Sequence, residues 1–187
     1  MRFVVLFDAC VLYPAPLRDF LLRLATTGLF AARWTDRIHD EWIRNLLKVR
    51  PDLEHQLART RELMNEAVPD CLVSGYEPLI DGLTLPDAGD RHVLAAAIRC
   101  NAQIVVTFNL KDFPVAALDP FGIEAMHPDR FVEHQLDLHQ GLVIGSAKTH
   151  RASLRHPAKS PEEYLETLAA QGLVVTADRL REFADLL

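Results

Sequence analysis

Hydrophobic and polar positions divide the chain into two parts with different patterns. Up to about residue 126, short apolar runs alternate with segments whose apolar residues recur at helical spacing. The runs at residues 2–7 and 102–108 are short and apolar on both faces, which is typical of strands inside a parallel sheet. Because helices connect such strands and cover both faces of their sheet, residues 1–126 predict an α/β domain with three α/β/α layers around a central parallel sheet.

Turn and cap residues place the other elements of this first domain. Helices are expected from about Leu17 to a cap at Gly28, from a cap at Thr35 to about Leu47, across residues 51–67, and from the segment Pro86-Asp87-Ala88-Gly89-Asp90 onward. Shorter apolar runs predict strands at residues 29–34, 71–73 and 122–126, the last at an edge of the sheet.

The pattern after residue 126 contains helices only. Two helical segments are expected at residues 129–138 and 142–154. A third begins with a capping box, in which Ser160 and Glu163 flank a proline at the first helical position. Thr176 is predicted to cap the last helix, which would run to Leu187. Residues 127–187 are therefore predicted to form a helical C-terminal extension.

Composition narrows the classes of protein that fit this pattern. The net charge of −6 argues against nonspecific electrostatic binding of nucleic acid by the whole surface. Small basic clusters such as Arg44, Lys48 and Arg50 could bind nucleic acid locally, but they are also typical of solvent-exposed helix faces. No apolar run approaches the roughly 20 residues of a membrane helix, and the N-terminal run is too short for a signal peptide. We therefore expect a cytoplasmic protein without membrane contact. The three cysteines lack the spacing of a zinc site and are expected to be buried hydrophobes.

Acidic and polar residues follow the two strongest strands. Asp8 ends the first strand, and Thr107, Asn109 and Asp112 follow the strand at residues 102–108. The carboxyl ends of parallel strands meet at one edge of the sheet, where ligands bind in α/β folds. A buried carboxylate costs several kcal/mol without a partner, and no basic residue adjoins Asp8 in the sequence.

Three further acids are candidates for the same edge. Glu41 is predicted to face inward, because it lies one turn from Ile38 on the second helix. Asp87 and Asp90 stand at the start of a later helix, where they also fit the plain roles of helix cap and dipole partner. In the same way Asp112 also fits a simple turn before Phe113. The sequence leaves both readings of these acids open.

A divalent cation would explain why so many carboxylates converge. Clustered carboxylates repel one another unless a cation neutralises them, and oxygen ligands suit Mg²⁺ or Mn²⁺. Two such ions can activate a water and stabilise the leaving oxygen of a phosphodiester. Thr107 and Asn109 are expected to position that water by hydrogen bonds. The D-x-D-x-T pattern of aspartyl-phosphate chemistry is absent after the first strand.

Four segments together resemble the PIN-domain nucleases, and among them the VapC-like toxin ribonucleases. They are FDACVLYP, DEWIRNL, LPDAGDRHVLAAAI and IVVTFNLKDFP, which span about residues 3–126. The resemblance implies that the metal ligands are Asp8, Glu41 and Asp90, with Asp87 nearby. The family's fourth acidic position is filled here by the neutral Asn109, for which Asp112 would compensate, and Thr107 would support the water or metal. His92 could also face the cleft, although we expect a surface histidine.

The resemblance also implies an activity and partners. The expected reaction is Mg²⁺- or Mn²⁺-dependent hydrolysis of RNA by a homodimer, which an antitoxin protein would inhibit. Arg44, Lys48 and Arg91 are candidates for contact with the RNA. Two alternatives stay open: a PIN-fold nuclease of RNA processing or DNA, and a non-catalytic module that binds nucleic acid or protein. A plain α/β domain with incidental acids is a third.

Overall fold

The computed structural model describes residues 2–187 and divides them into two units. Unit 1 consists of the residues up to Tyr13 together with Phe30–Met126, and unit 2 consists of Pro14–Leu29 together with His127–Leu187. The predicted boundary after residue 126 coincides with a border between the units. Residues 14–29, which the sequence placed in the first domain, belong instead to unit 2.

Unit 1 is built on a sheet of four parallel strands, as predicted. The strands are β1 (Val4–Phe7), β2 (Ala31–Arg33), β3 (Ile104–Val106) and β4 (Glu124–Met126), in the spatial order β2-β1-β3-β4. β4 lies at an edge, as expected. The predicted strand at residues 71–73 does not join this sheet, because Leu72 forms only an isolated parallel bridge with Trp34.

The central position of β1 follows from its composition. Val5, Leu6 and Phe7 are completely buried, and β1 pairs with β2 on one side and with β3 on the other. Strands that are apolar on both faces are stable only where neighbours cover both. The first polar residue after β1 therefore emerges at the middle of the carboxyl edge, and the backbone N–H of Asp8 still donates to the carbonyl of Val106.

Among the described residues, five α-helices belong to unit 1. They are α1 (Ala9–Leu12), α3 (Asp36–Leu47), α4 (Glu54–Ala67), α5 (Arg91–Arg99) and α6 (Val115–Leu118). The hydroxyl of Thr35 accepts a hydrogen bond from the N–H of Ile38, which confirms the predicted cap of α3. Ile38, His39 and Trp42 form the buried face of α3.

A buried polar network joins α3 to α4. The side-chain oxygen of Asn65 accepts a hydrogen bond from Trp34 Nε1 at 2.8 Å and lies 3.0 Å from His39 Nε2. Trp42 Nε1 donates to His39 Nδ1, which must therefore lack a hydrogen. His39 Nε2 then carries the ring hydrogen and donates it to Asn65. Burial lowers the pKa of His39, which agrees with this neutral form.

Unit 2 consists of four helices. They are α2 (Ala15–Thr26), α7 (Pro128–Ser153), α8 (Pro161–Ala170) and α9 (Val174–Arg181). The two helical segments predicted before residue 154 are both present in α7, which is interrupted where His139 has non-helical angles. The capping box of Ser160 and Glu163 is confirmed at the start of α8, and Gly28 follows α2 with a φ of +80°.

The prediction that Thr176 caps the last helix is wrong. Thr176 lies inside α9, which begins at Val174 and ends at Arg181 rather than at Leu187. The carboxylate of Asp129, on α7, accepts hydrogen bonds from the N–H groups of Val175 and Thr176 at 2.9 Å each. An acid that is distant in sequence thus satisfies the free N–H groups at this helix start.

His150 occupies the core of unit 2. It is fully buried, stacks on Phe20 and lies 3.1 Å, through Nδ1, from the hydroxyl of Tyr164. Its Nε2 has no hydrogen-bond partner among the described residues. Burial lowers the pKa of His150 from 6.5 to about 4, and the charge of Arg23 adds to the fall.

The network around Asn65 predicts a large loss of stability on its removal. Asn65→Ala should lower the free energy of unfolding by about 2–3 kcal/mol, because it leaves the N–H groups of Trp34 and His39 without an acceptor. Urea denaturation measures this change. Asn45→Ala is the control, since Asn45 is exposed and bonds only to Lys48, and it should change stability by less than about 0.5 kcal/mol. Equal losses in the two variants would contradict the prediction.

His150 predicts a loss of stability in mild acid. Its pKa is lowered on folding, so the unfolded chain binds its proton first, and stability falls as the pH drops below 6.5 until it levels off near 4. Between pH 7 and pH 5 the wild type should lose about 1–2 kcal/mol more than His150→Phe, which keeps a ring but cannot bind a proton. Urea denaturation at both pH values tests this, and parallel losses would contradict it.

Candidate active site

A cavity of about 540 Å³ lies in unit 1 and collects most of the predicted site residues. Asp8, Glu41, Asp90 and Asn109 line it. They come from four places in the sequence: the end of β1, the helix α3, the turn before α5 and the segment after β3. These four side chains therefore line one cavity, and their role as a single functional site stays a prediction.

Asp8 is almost completely buried, and both of its carboxylate oxygens accept hydrogen bonds. Oδ1 accepts from the N–H of Ala9 at 2.7 Å, so Asp8 also caps α1. Oδ2 accepts from the hydroxyl of Thr107 at 2.8 Å and from Cys10 Sγ at 3.1 Å. Protein donors rather than a basic residue therefore support this buried carboxylate, and each oxygen keeps a further lone pair for a ligand.

Thr107 joins the carboxyl ends of the two central strands. It is fully buried, donates its hydroxyl hydrogen to Asp8 and accepts the N–H of Asn109 at 3.0 Å. It is absent from the cavity lining, whereas Asn109 is present. In this structure Thr107 therefore orients Asp8 and the turn that carries Asn109, and does not face the cavity itself.

Burial and the charges of neighbouring carboxylates both raise the pKa of Asp90. Burial raises its pKa to about 6, and the negative charges of Asp8, Asp87 and Asp112 add to the rise. Asp87 is exposed and its Oδ1 accepts the N–H of Gly89 at 2.7 Å, which is the plain capping role that the sequence left open. Neither Asp87 nor Asp112 lines the cavity, but both contribute to its negative potential.

Glu41 is held by two basic side chains. Its Oε1 lies 3.0 Å from His92 Nε2 and 3.3 Å from Arg37 Nε. Burial favours a higher pKa for Glu41, but the hydrogen bonds and charges of His92 and Arg37 outweigh it and lower the pKa. The expectation that His92 lies at the surface is wrong, since its side chain is only 1% exposed.

Cys10 was expected to be a buried hydrophobe, but it is partly exposed and lines the cavity. Its Sγ accepts the N–H of Phe108 at 3.3 Å in addition to donating to Asp8. Burial raises the pKa of Cys10 to about 12, and the charge of Asp8 adds to the rise. Without a bound cation, Cys10 is therefore a neutral thiol at neutral pH.

The oxygen atoms at the cavity are of the chemical type that binds divalent cations. Asp8, Glu41, Asp90 and Asn109 offer carboxylate and amide oxygens, which Mg²⁺ and Mn²⁺ prefer. A cation would also relieve the repulsion that raises the pKa of Asp90. Among residues 2–187, however, no three His, Cys, Asp or Glu side chains stand close enough together to hold an ion as they are. The carboxylates share a cavity without forming a closed ligand cage.

Sequence reasoning missed several groups in the cavity wall. Arg37, Asn45 and Tyr13 line it beside Arg44, which had been named as a candidate for contact with RNA. A signal for Arg37 was present, since it precedes Glu41 by four residues on a helix and such pairs face each other. Tyr13 gave no such signal, because the turn that follows α1 brings it there.

Comparison with known families gives two matches along the chain. A family model described as PIN domain matches residues 4–111, and one described as VapC50 C-terminal domain matches residues 128–182. A protein of Mycobacterium tuberculosis named "Putative ribonuclease VapC50" is 40% identical over 101 residues, which are 52% of this chain and 57% of that relative. The match thus spans little more than half of the relative's length. No solved structure matches the chain.

The repulsion at Asp90 predicts a stabilising substitution. Asp90→Asn should raise the free energy of unfolding of the metal-free protein by about 1 kcal/mol at pH 7.5, after allowance for screening at this partly exposed site. Urea denaturation in EDTA measures the change. Asp52→Asn is the control, because Asp52 is exposed and paired with Arg50, so its removal should not stabilise the protein. A metal-free Asp90→Asn protein less stable than the wild type would contradict the prediction.

Proposed function

This chain belongs to the PIN-domain family, and on that premise we propose that it is an endoribonuclease that hydrolyses RNA phosphodiester bonds with Mg²⁺ or Mn²⁺. One observation carries the proposal. Asp8, Glu41 and Asp90, which the family resemblance implies as metal ligands, line a single cavity at the carboxyl edge of the sheet. The likeness to a relative whose name contains the word ribonuclease supports RNA as the substrate.

The residues at the cavity would have two kinds of role. Some would hold a cation, and others keep those ligands oriented or ionised. A bound divalent cation would lower the pKa of a water molecule and neutralise charge on the phosphate. Asp8, Glu41 and Asp90 would hold it, with Asn109 as a neutral oxygen donor. Thr107 keeps Asp8 oriented, and His92 and Arg37 keep Glu41 ionised. Asp112, and Asp87 as a helper, would add negative potential that attracts the cation.

The side chains that surround the acids would contact the RNA backbone. Arg44 lines the cavity, is exposed and has no ion pair with any described acid. Its guanidinium suits a phosphate oxygen better than a lysine would, because it can donate two parallel hydrogen bonds. The net charge of −6 is consistent with a substrate held by a cation and few arginines.

The proposal includes a biological setting. We place the chain among the toxins of toxin–antitoxin pairs, as a cytoplasmic homodimer whose activity an antitoxin protein controls. The match of residues 128–182 to the VapC50 C-terminal domain supports this setting, because it extends the likeness to a toxin-type protein beyond the PIN domain. No helix within residues 2–187 combines the length and apolar character that crossing a bilayer requires.

One observation favours a second candidate function, a non-catalytic module that binds nucleic acid or protein. The acids of the described chain do not form a closed ligand cage. A binding module with this fold would need the cavity but not the cation. The two candidates differ in whether removal of the metal, or of a single carboxylate, abolishes an activity.

Cleavage of RNA tests the proposal directly. Purified protein should cut a pool of cellular RNA at discrete sites with Mg²⁺ or Mn²⁺ and should be inactive in EDTA. Asp8→Asn and Asp90→Asn should each reduce the rate by at least about a hundredfold, because each removes a charge that would hold the cation. Asp52→Asn should cleave like the wild type. Folded protein, free of inhibitor, that shows no metal-dependent cleavage would favour the binding module.

A further inference from the structure

The contacts of Glu41 fall on only one of its two carboxylate oxygens. His92 Nε2 and Arg37 Nε both approach Oε1, at 3.0 Å and 3.3 Å. Oε2 makes no hydrogen bond with the described residues. A carboxylate held at one oxygen presents the other in a fixed direction, and Glu41 lines the cavity.

The two partners of Glu41 differ in how firmly they can hold it. The Arg37 side chain is 48% exposed and belongs to the same helix as Glu41, so water competes for its contact. The His92 side chain is 1% exposed and belongs to α5, whose residues from His92 to Ala97 are all buried. A short, stiff side chain on a buried helix fixes an oxygen better than a long exposed one does.

The direction of the hydrogen bond follows from chemistry alone. The oxygens of a carboxylate can only accept hydrogen bonds, and Glu41 Oε1 lies 3.0 Å from His92 Nε2. His92 Nε2 must then carry the hydrogen, whether the ring is neutral or charged. The other ring nitrogen, Nδ1, is buried and has no hydrogen-bond partner among residues 2–187.

That unsatisfied nitrogen argues against a purely structural role for His92. A buried polar atom without a partner costs on the order of 1–3 kcal/mol. An apolar side chain of similar size would fill the same space on α5 without that cost. His92 thus lowers the stability of α5 packing in return for a single hydrogen bond, and the acceptor of that bond is a cavity carboxylate.

We infer that His92 is a positioning residue, which fixes Glu41 through Oε1 so that Oε2 is presented to a divalent cation in the cavity. The inference rests on the proposed function, whose cation it concerns. Residues that orient a metal ligand in this way commonly change metal affinity by 10–100-fold when they are replaced. His92 acts through Glu41 and does not itself touch cation or RNA.

Binding of Mn²⁺, measured by electron paramagnetic resonance of the free ion, tests the inference without relying on activity. His92→Leu removes the donor and keeps an apolar filler, whereas His92→Gln keeps an N–H that can reach Oε1. We expect His92→Leu to bind Mn²⁺ 10–100-fold more weakly while its metal-free stability is equal or higher, and His92→Gln to recover at least part of the affinity. Arg37→Ala should weaken binding only a few-fold.

Two controls separate positioning from other effects. His55→Leu makes the same chemical change at an exposed site on α4, and should leave Mn²⁺ affinity unchanged. A double-mutant cycle with Glu41→Gln asks whether the effect passes through Glu41, because His92→Gln should then lose its effect in the Glu41→Gln background. The cycle also decides the question if His92→Leu does not fold.

Several results would overturn the inference. His92→Leu within twofold of the wild type would do so, as would equal losses for His92→Leu and His92→Gln, or an effect of His92→Gln that persists without Glu41. Wild-type protein that binds no Mn²⁺ would overturn this inference and the metal dependence of the proposed function together. Wild-type protein that binds Mn²⁺ but cleaves no RNA would overturn only the proposed function.

Discussion

The buried carboxylate of Asp8 is the constraint around which the site is organised. β1 is apolar on both faces and central in its sheet, so the residue that ends it cannot reach open solvent. The hydroxyl of Thr107, the thiol of Cys10 and the N–H of Ala9 supply the hydrogen bonds that a buried carboxyl group needs there. These bonds tie the end of β1 to the end of β3, and thereby fix the base of the cavity.

The remaining acids are placed so that negative charges lie close together at the cavity. Asp90 is partly buried and faces the charges of three other aspartates, whereas Glu41 is neutralised on one side by His92 and Arg37. A cation would remove the repulsion at Asp90 while leaving the support of Glu41 intact. Affinity for such a cation and stability of the metal-free protein would thus be opposed at Asp90.

Much of this arrangement was predictable from short-range pattern. The apolar runs indicated all four strands of the parallel sheet, and they also indicated a strand at residues 71–73 that does not join it. The position of Asp8 after β1 indicated a site at the edge of the sheet. Thr35 and Ser160 were recognised as caps because each capping hydroxyl and the backbone N–H that donates to it are only three residues apart. Sequence pattern did not predict contacts between residues that are far apart in the chain. The N–H groups at the start of α9 are satisfied by Asp129 rather than by a cap at Thr176, and His92 is buried by tertiary packing. The membership of residues 14–29 in unit 2 gave no local signal either.

The path of the chain between the two units has a consequence for synthesis on the ribosome. α2 is made early, but α7 and α8, the helices with which it packs in unit 2, begin roughly 100 and 135 residues after α2 ends. At about 5–20 residues per second, its apolar face, with Leu17, Phe20 and Leu24, therefore waits several seconds for its partners. The nascent chain therefore carries an uncovered hydrophobic helix while β2, β3 and β4 are translated. Transiently exposed apolar surface of this kind makes a partly synthesised chain prone to aggregation until α7 and α8 are made.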